Sequence, residues 1–161
     1  GRFTQEEKDK LSFEKERQYQ QDFRPHLELI KGLERFLKES YAADVKLGIG
    51  SAAIRFNIDF VLDGLGIRKY FQAIVTADDV THSKPDPETW LKCASLLGLS
   101  ARDCIVFEDS PKGAESALNA GMKCIIITNL HKEGEFGKYE NVVGFINDFD
   151  DIFINDFLKP A

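Results

Sequence analysis

The chain has 161 residues and a net charge of −6, from 21 Lys and Arg against 27 Asp and Glu. That length buries a core without disulfide or metal staples, and a composition 43% hydrophobic and 30% charged is that of one globular domain rather than a disordered chain. The acidic balance excludes the basic footprint by which proteins hold nucleic acid or an anionic membrane, so neither partner is expected, and a phosphorylated ligand would need local cations or a bound metal ion.

Residues 4–24 carry 11 charged side chains in 21 positions, and Thr4 and Glu7 have the spacing of a capping box. A solvated helix is expected there, with Leu11, Phe13, Tyr19 and Phe23 as its few apolar residues. Pro25 interrupts it. From His26 a second helix is expected, with Leu29, Ile30, Leu33, Phe36 and Leu37 along one face. Five short apolar runs follow, at 45–50, 72–76, 104–108, 123–128 and 142–146. They are continuous rather than alternating, as in strands covered on both faces. Between the first two runs, Ile54, Ile58, Val61, Leu62 and Leu65 form a helical stripe closed by Gly66. The next helix has Asp86 as N-cap and Pro87 at its first position, buries Trp90, Leu91, Ala94 and Leu97, and stops at Gly98. A third has Ser110 as N-cap and Pro111 next, then Ala114, Ala117 and Leu118, with Gly121 at its end. A last helix is expected after Asp148, with Ile152, Phe153 and Phe157 facing inward. Strand and helix alternating at this spacing give an α/β fold, a Rossmann-like doubly wound parallel sheet.

Ligands of such sheets sit beyond the C-terminal ends of the strands. The first strand runs into Ser51, Ala52 and Ala53. The third ends at Glu108 and Asp109. Lys84 stands in the loop after the second, just before Pro85. A hydroxyl, a lysine and two adjacent carboxylates are thus expected on one rim. Two carboxylates at a strand tip are costly to hold together without a cation, and Mg²⁺, which takes oxygen ligands and keeps waters, suits them. The Ser51 hydroxyl and the backbone N–H groups after it suit a phosphoryl oxygen, and the Lys84 ammonium suits a phosphate and a carboxylate together. Asp78 and Asp79 read as a solvated loop. Cys104 and Cys124 lie in apolar runs and are expected to be reduced core residues, as in a cytosolic protein. With no apolar stretch near ~18 residues and a highly charged first segment, a cytoplasmic location is expected.

SKPDPE at 83–88 and VFEDSPKGAESALNAGM at 106–122 resemble the third and fourth motifs of the haloacid dehalogenase-like hydrolase superfamily, in the subgroup of β-phosphoglucomutase and sugar-phosphate phosphatases. GIGSAA at 48–53 is similar to the second. The resemblance implies Mg²⁺-dependent phosphoryl transfer through an aspartyl-phosphate, on a small phosphorylated substrate, by a protein monomeric in its full-length form. It makes Lys84 and Ser51 catalytic, gives phosphate binding to Ser51, Ala52, Lys84 and Asn57, and gives the metal to Glu108 and Asp109. It also divides the chain into a cap-domain remnant at 1–24 and a core at 25–161.

The family's first motif, an Asp-x-Asp at the end of an N-terminal strand, has no counterpart before residue 44. Asp148 and Asp150 form the chain's one Asp-x-Asp, but their surroundings read as the start of the last helix rather than a relocated nucleophile. In relatives the missing strand lies between those ending here at Ser51 and Glu108. An open slot is therefore expected at that place, with a penalty of ~1–3 kcal/mol for each buried backbone group left unpaired. Two rival functions stand beside the enzyme. Gly48, Gly50 and Ala53 imitate a dinucleotide fingerprint, which nicotinamide binding would reveal. A non-catalytic chain that keeps only fold and metal site would fail an assay with a generic phosphate ester.

Overall fold

The computed structural model describes residues 4–150, Ile152 and Asp156. Helix α1 (Gln5–Phe23) begins with the expected capping box, the Thr4 backbone N–H donating to Glu7 at 2.7 Å. It buries no residue. The second helix begins later than its apolar spacing suggests. A 3₁₀ turn occupies Arg24–His26, and α2 (Leu33–Ala42) starts only after Gly32, whose φ is +76°. A Cβ on Gly32 would lie 2.5 Å from the backbone carbon of Phe149, so the chain turns there to admit the 149 segment. Leu29 and Ile30 precede the helix.

The remaining elements follow in the expected order. They are β1 (Gly48–Gly50), α3 (Arg55–Gly64), β2 (Ala73–Val75), α4 (Glu88–Leu97), β3 (Ile105–Glu108), α5 (Pro111–Asn119), β4 (Lys123–Ile127) and β5 (Val142–Ile146). Helix α4 starts after Pro87, with the Asp86 carboxylate accepting from the Glu88 backbone N–H at 2.9 Å. Its buried residues are Thr89, Trp90, Cys93, Ala94 and Leu97; Leu91 points outward and is 44% exposed. The stripe at 90, 93, 94 and 97 leaves Leu91 off the core face. Ser110 caps α5 by accepting from the Gly113 N–H at 3.1 Å. Phe153 and Phe157, expected inside a last helix, lie outside the described residues.

All pairings are parallel, but the five strands do not form one sheet. β1 pairs with β2, and β3, β4 and β5 form a separate sheet in that order. The two pieces share their covering layers. On one face α4 packs on β1 and β2, while its Trp90 and Ala94 join Val106 of β3, Ala114 and Ala117 of α5, and Cys124 and Ile126 of β4. On the other face, Leu37 of α2 and Leu62 of α3 cover Ile49 and Ile74, and Phe36 of α2 meets Phe107 and Phe149. Between β1 and β3 lies a cavity of about 610 Å³, bounded by Leu33, Phe36 and Phe149 on one side and by Trp90, Cys93 and Leu97 on the other. This is the expected slot.

The three thiols are free. Burial pushes Cys93 up to about 11 and Cys124 up to about 12, so neither is a reactive thiolate near neutrality. Cys104 is only half-buried. Among the described residues no helix is long and apolar enough to cross a membrane.

Candidate active site

Gly48 and Gly50 are glycines because α4 lies against them. A Cβ on Gly48 would meet Cys93 Sγ at 2.4 Å, and one on Gly50 would meet the Trp90 ring at 2.5 Å. Their spacing serves helix–strand packing, which removes the basis of the dinucleotide reading. Beyond β1 the Ser51 N–H donates to the Val75 carbonyl at 2.9 Å, and the Ser51 hydroxyl accepts from the Ala53 N–H at 3.1 Å. Ser51 thus closes a short turn at the strand end; it does not cap α3, which starts at Arg55.

The loop carrying Lys84 is held from two helices. Ser116 of α5 donates to the Asp86 carbonyl at 2.7 Å, and Asn119 donates to the Pro85 carbonyl at 3.0 Å. The Thr81 and His82 N–H groups donate to Glu88, which holds that carboxyl below the usual range. So fixed, the Lys84 ammonium donates to the Gly50 carbonyl at 3.2 Å and pairs with Glu108 Oε1. It joins the end of β1 to the end of β3 across the mouth of the slot.

Glu108 is buried, and its other oxygen accepts from the Asp109 N–H at 3.1 Å and from the Ser110 hydroxyl at 3.2 Å. Space for its carboxyl exists because residue 113 has no side chain; a Cβ there would lie 1.9 Å from Glu108 Cδ. Burial, and then the neighbouring Glu108 charge, push the Asp109 carboxyl above the usual carboxylate range. An all-oxygen pair at one rim, with one member short of compensating charge, fits a hard divalent cation such as Mg²⁺. With Lys84 and Ser110 already on Glu108, Asp109 is the freer ligand.

Ser51, Ala52, Lys84, Glu108 and Asp109 line one cleft of about 410 Å³, together with Trp90, Ser110 and Asn129. Asn57 does not reach it. Its amide donates to Glu16 at 2.6 Å and accepts from Gln20 at 3.1 Å, fastening α1 to α3. Arg55 is also engaged elsewhere, with Asp79 Oδ2 at 2.7 Å. Asp79 is no solvated loop residue: hydrogen bonds from Thr76 hold its carboxyl below the usual range. Asp148 and Asp150 lie off the cleft, Asp150 paired with Lys31. Trp90 and Asn129 were not expected in the cleft. Asn129 stands two residues past the end of β4, so the strand-end rule reaches it; Trp90 reads only as core.

The haloacid dehalogenase-like hydrolase family model matches residues 2–127. The chain is 39% identical over 84 residues to a fructose-1-phosphate phosphatase of Escherichia coli (strain K12), covering 52% of this chain and 45% of that protein. It is 32% identical over 133 residues to the chloroplastic 5-amino-6-(5-phospho-D-ribitylamino)uracil phosphatase of Arabidopsis thaliana, covering 83% of this chain and 35% of that one. The chain thus spans under half the length of these relatives. Among solved structures it is similar to a family IA, variant 3 hydrolase from Entamoeba histolytica, at TM-score 0.84 and 25% identity over 96% of this chain and 71% of that one. It also shares the fold of a β-phosphoglucomutase from Clostridium difficile, at TM-score 0.78 and 24% identity over 96% of this chain and 66% of that one.

Proposed function

Because this chain belongs to the haloacid dehalogenase-like hydrolase family, we propose that the whole protein transfers the phosphoryl group of a small phosphorylated metabolite, a sugar phosphate, with Mg²⁺ as cofactor. The observation that carries this reading is Lys84, whose ammonium is pinned between the Gly50 carbonyl and Glu108 in the cleft that Ser51 and Asp109 also line. A fixed cation, a hydroxyl and a metal-binding carboxylate around one small volume suit an anion that gains charge at its oxygens during transfer.

In this mechanism the Ser51 hydroxyl and the Ala52 N–H donate to phosphoryl oxygens, and Lys84 neutralises charge shared by phosphate and nucleophile. Asp109 and Glu108 would hold the metal, which when bound would supply further neutralisation of phosphoryl charge. The attacking carboxylate comes from a strand seated in the slot between β1 and β3, because neither Asp148 nor Asp150 approaches the cleft. Its oxygen bonds to phosphorus, the ester P–O bond breaks, and the leaving oxygen takes a proton from a water molecule in the cleft. Attack by water on the aspartyl-phosphate then completes hydrolysis; attack by a second sugar hydroxyl completes a mutase cycle.

A second reading, a non-catalytic module, rests on one observation: both oxygens of Glu108 are already engaged, one with Lys84 and the other with the Asp109 N–H and the Ser110 hydroxyl, which leaves Asp109 as the freer carboxylate among the described residues of the cleft. Turnover of p-nitrophenyl phosphate and of sugar phosphates by the whole protein, with and without a chelator, separates the two. Metal-dependent hydrolysis or isomerisation supports the enzyme, and a protein that binds Mg²⁺ without turnover supports the module.

A further inference from the structure

The Lys84 ammonium lies 4.1 Å from the centroid of the Trp90 ring, the chain's one tryptophan. We infer that Trp90 is a positioning residue for Lys84, its indole face fixing the ammonium between the ends of β1 and β3. This rests on reading the cleft as a phosphoryl site.

A lysine side chain loses much rotamer freedom when held in one place. Here the Gly50 carbonyl and Glu108 hold it from the strand ends, and the ring holds it from the helix layer. Lys84 and Glu108 side chains are 12% and 8% exposed, so the attraction of cation to ring acts with little water to weaken it. The ring is locked in turn. It is 8% exposed, packs with Ala94, Val106 and Ala114, and its edge fills the space a Gly50 side chain would take. Among the described residues the indole Nε1–H has no hydrogen-bond partner. A buried donor without an acceptor is costly, and phenylalanine would fill a core position with none. What tryptophan adds is the strongest cation-binding face among side chains. With two of the three ammonium protons on Gly50 and Glu108, one remains for a phosphoryl oxygen.

The test uses the whole protein with Trp90→Phe and Trp90→Leu, each alone and with Lys84→Met. By NMR, the Lys84 ε-methylene protons should be shifted upfield by the ring in the unaltered protein and in Trp90→Phe, and return to ordinary positions in Trp90→Leu. Turnover of p-nitrophenyl phosphate should fall on the order of 30-fold in kcat for Trp90→Leu, with KM nearly unchanged and most of the loss recovered by Trp90→Phe. In the Lys84→Met background, Trp90→Leu should cost nothing more. An equal loss in both backgrounds would show a merely structural role and overturn the proposal. So would unshifted Lys84 resonances in the unaltered protein, a result that needs no folded variant. A protein that turns over no phosphate ester would sink the phosphoryl reading. The NMR arm then still decides: loss of the shift in Trp90→Leu with retention in Trp90→Phe supports positioning, and any other pattern overturns it.

Discussion

Replacing Gly113 with alanine places a methyl carbon where the Glu108 carboxyl group sits, 1.9 Å from Cδ and 2.1 and 2.2 Å from its oxygens. Those atoms are the end of a side chain, so the carboxyl moves and α5 stays. Moving it breaks the pair with Lys84 and the bonds from Asp109 and Ser110. Losing one partner of a buried ion pair costs about 3–5 kcal/mol. Alanine in place of glycine within a helix returns up to ~1 kcal/mol. The expected net loss is about 2–4 kcal/mol, a fall of roughly 4–16 °C in melting temperature for a domain of this size. Calorimetry of the whole protein reads the fall, and a Mg²⁺ titration should show weakened binding in the same variant. An unchanged melting temperature with unchanged Mg²⁺ affinity would refute the placement of Glu108.

Lys84→Ala should lower kcat by on the order of 10²–10³, and Lys84→Arg should recover only part, because a planar guanidinium does not fit a site built around a compact ammonium; full recovery counts against the packing described. Burial and the Glu108 charge hold the Asp109 carboxyl above its usual range, so between the ordinary and raised values the folded chain binds more protons than the unfolded one, and stability falls as pH rises through that window. Metal-free Asp109→Asn should therefore melt higher than the unaltered protein at neutral pH, with the gain disappearing below about pH 4; a gain independent of pH contradicts this. Asn57→Ala should leave phosphate affinity unchanged while loosening α1, read as faster amide exchange along that helix; weakened phosphate binding would return Asn57 to the site.

Much of this was legible in the chain. Continuous apolar runs located all five strands, although β5 is open on one face, with Val143 56% and Phe145 38% exposed, so its apolar run did not signal cover on both faces. The strand-end rule brought Ser51, Ala52, Lys84, Glu108 and Asp109 together from positions up to 58 residues apart. What failed depended on tertiary contact. The family resemblance gives Asn57 to the phosphate, but Glu16 and Gln20 of α1 claim its amide. Apolar spacing alone sets the start of α2 too early, because it does not reveal that Phe149 must pass over Gly32. Trp90 showed its helical spacing and not the cation above its ring, since that neighbour arrives from another segment.

In the proposed reaction this cleft holds a phosphoryl group while a carboxylate from a strand in the β1–β3 slot attacks it. Acid quenching of the whole protein during turnover of a sugar phosphate, followed by peptide mass spectrometry, tests it most directly. One phosphoryl group is expected on an aspartate at the end of that strand, with the adduct lost in Asp109→Ala and Lys84→Ala. A phosphoryl group on Asp148, Asp150 or Ser51, or turnover with no protein-bound phosphate, would contradict it.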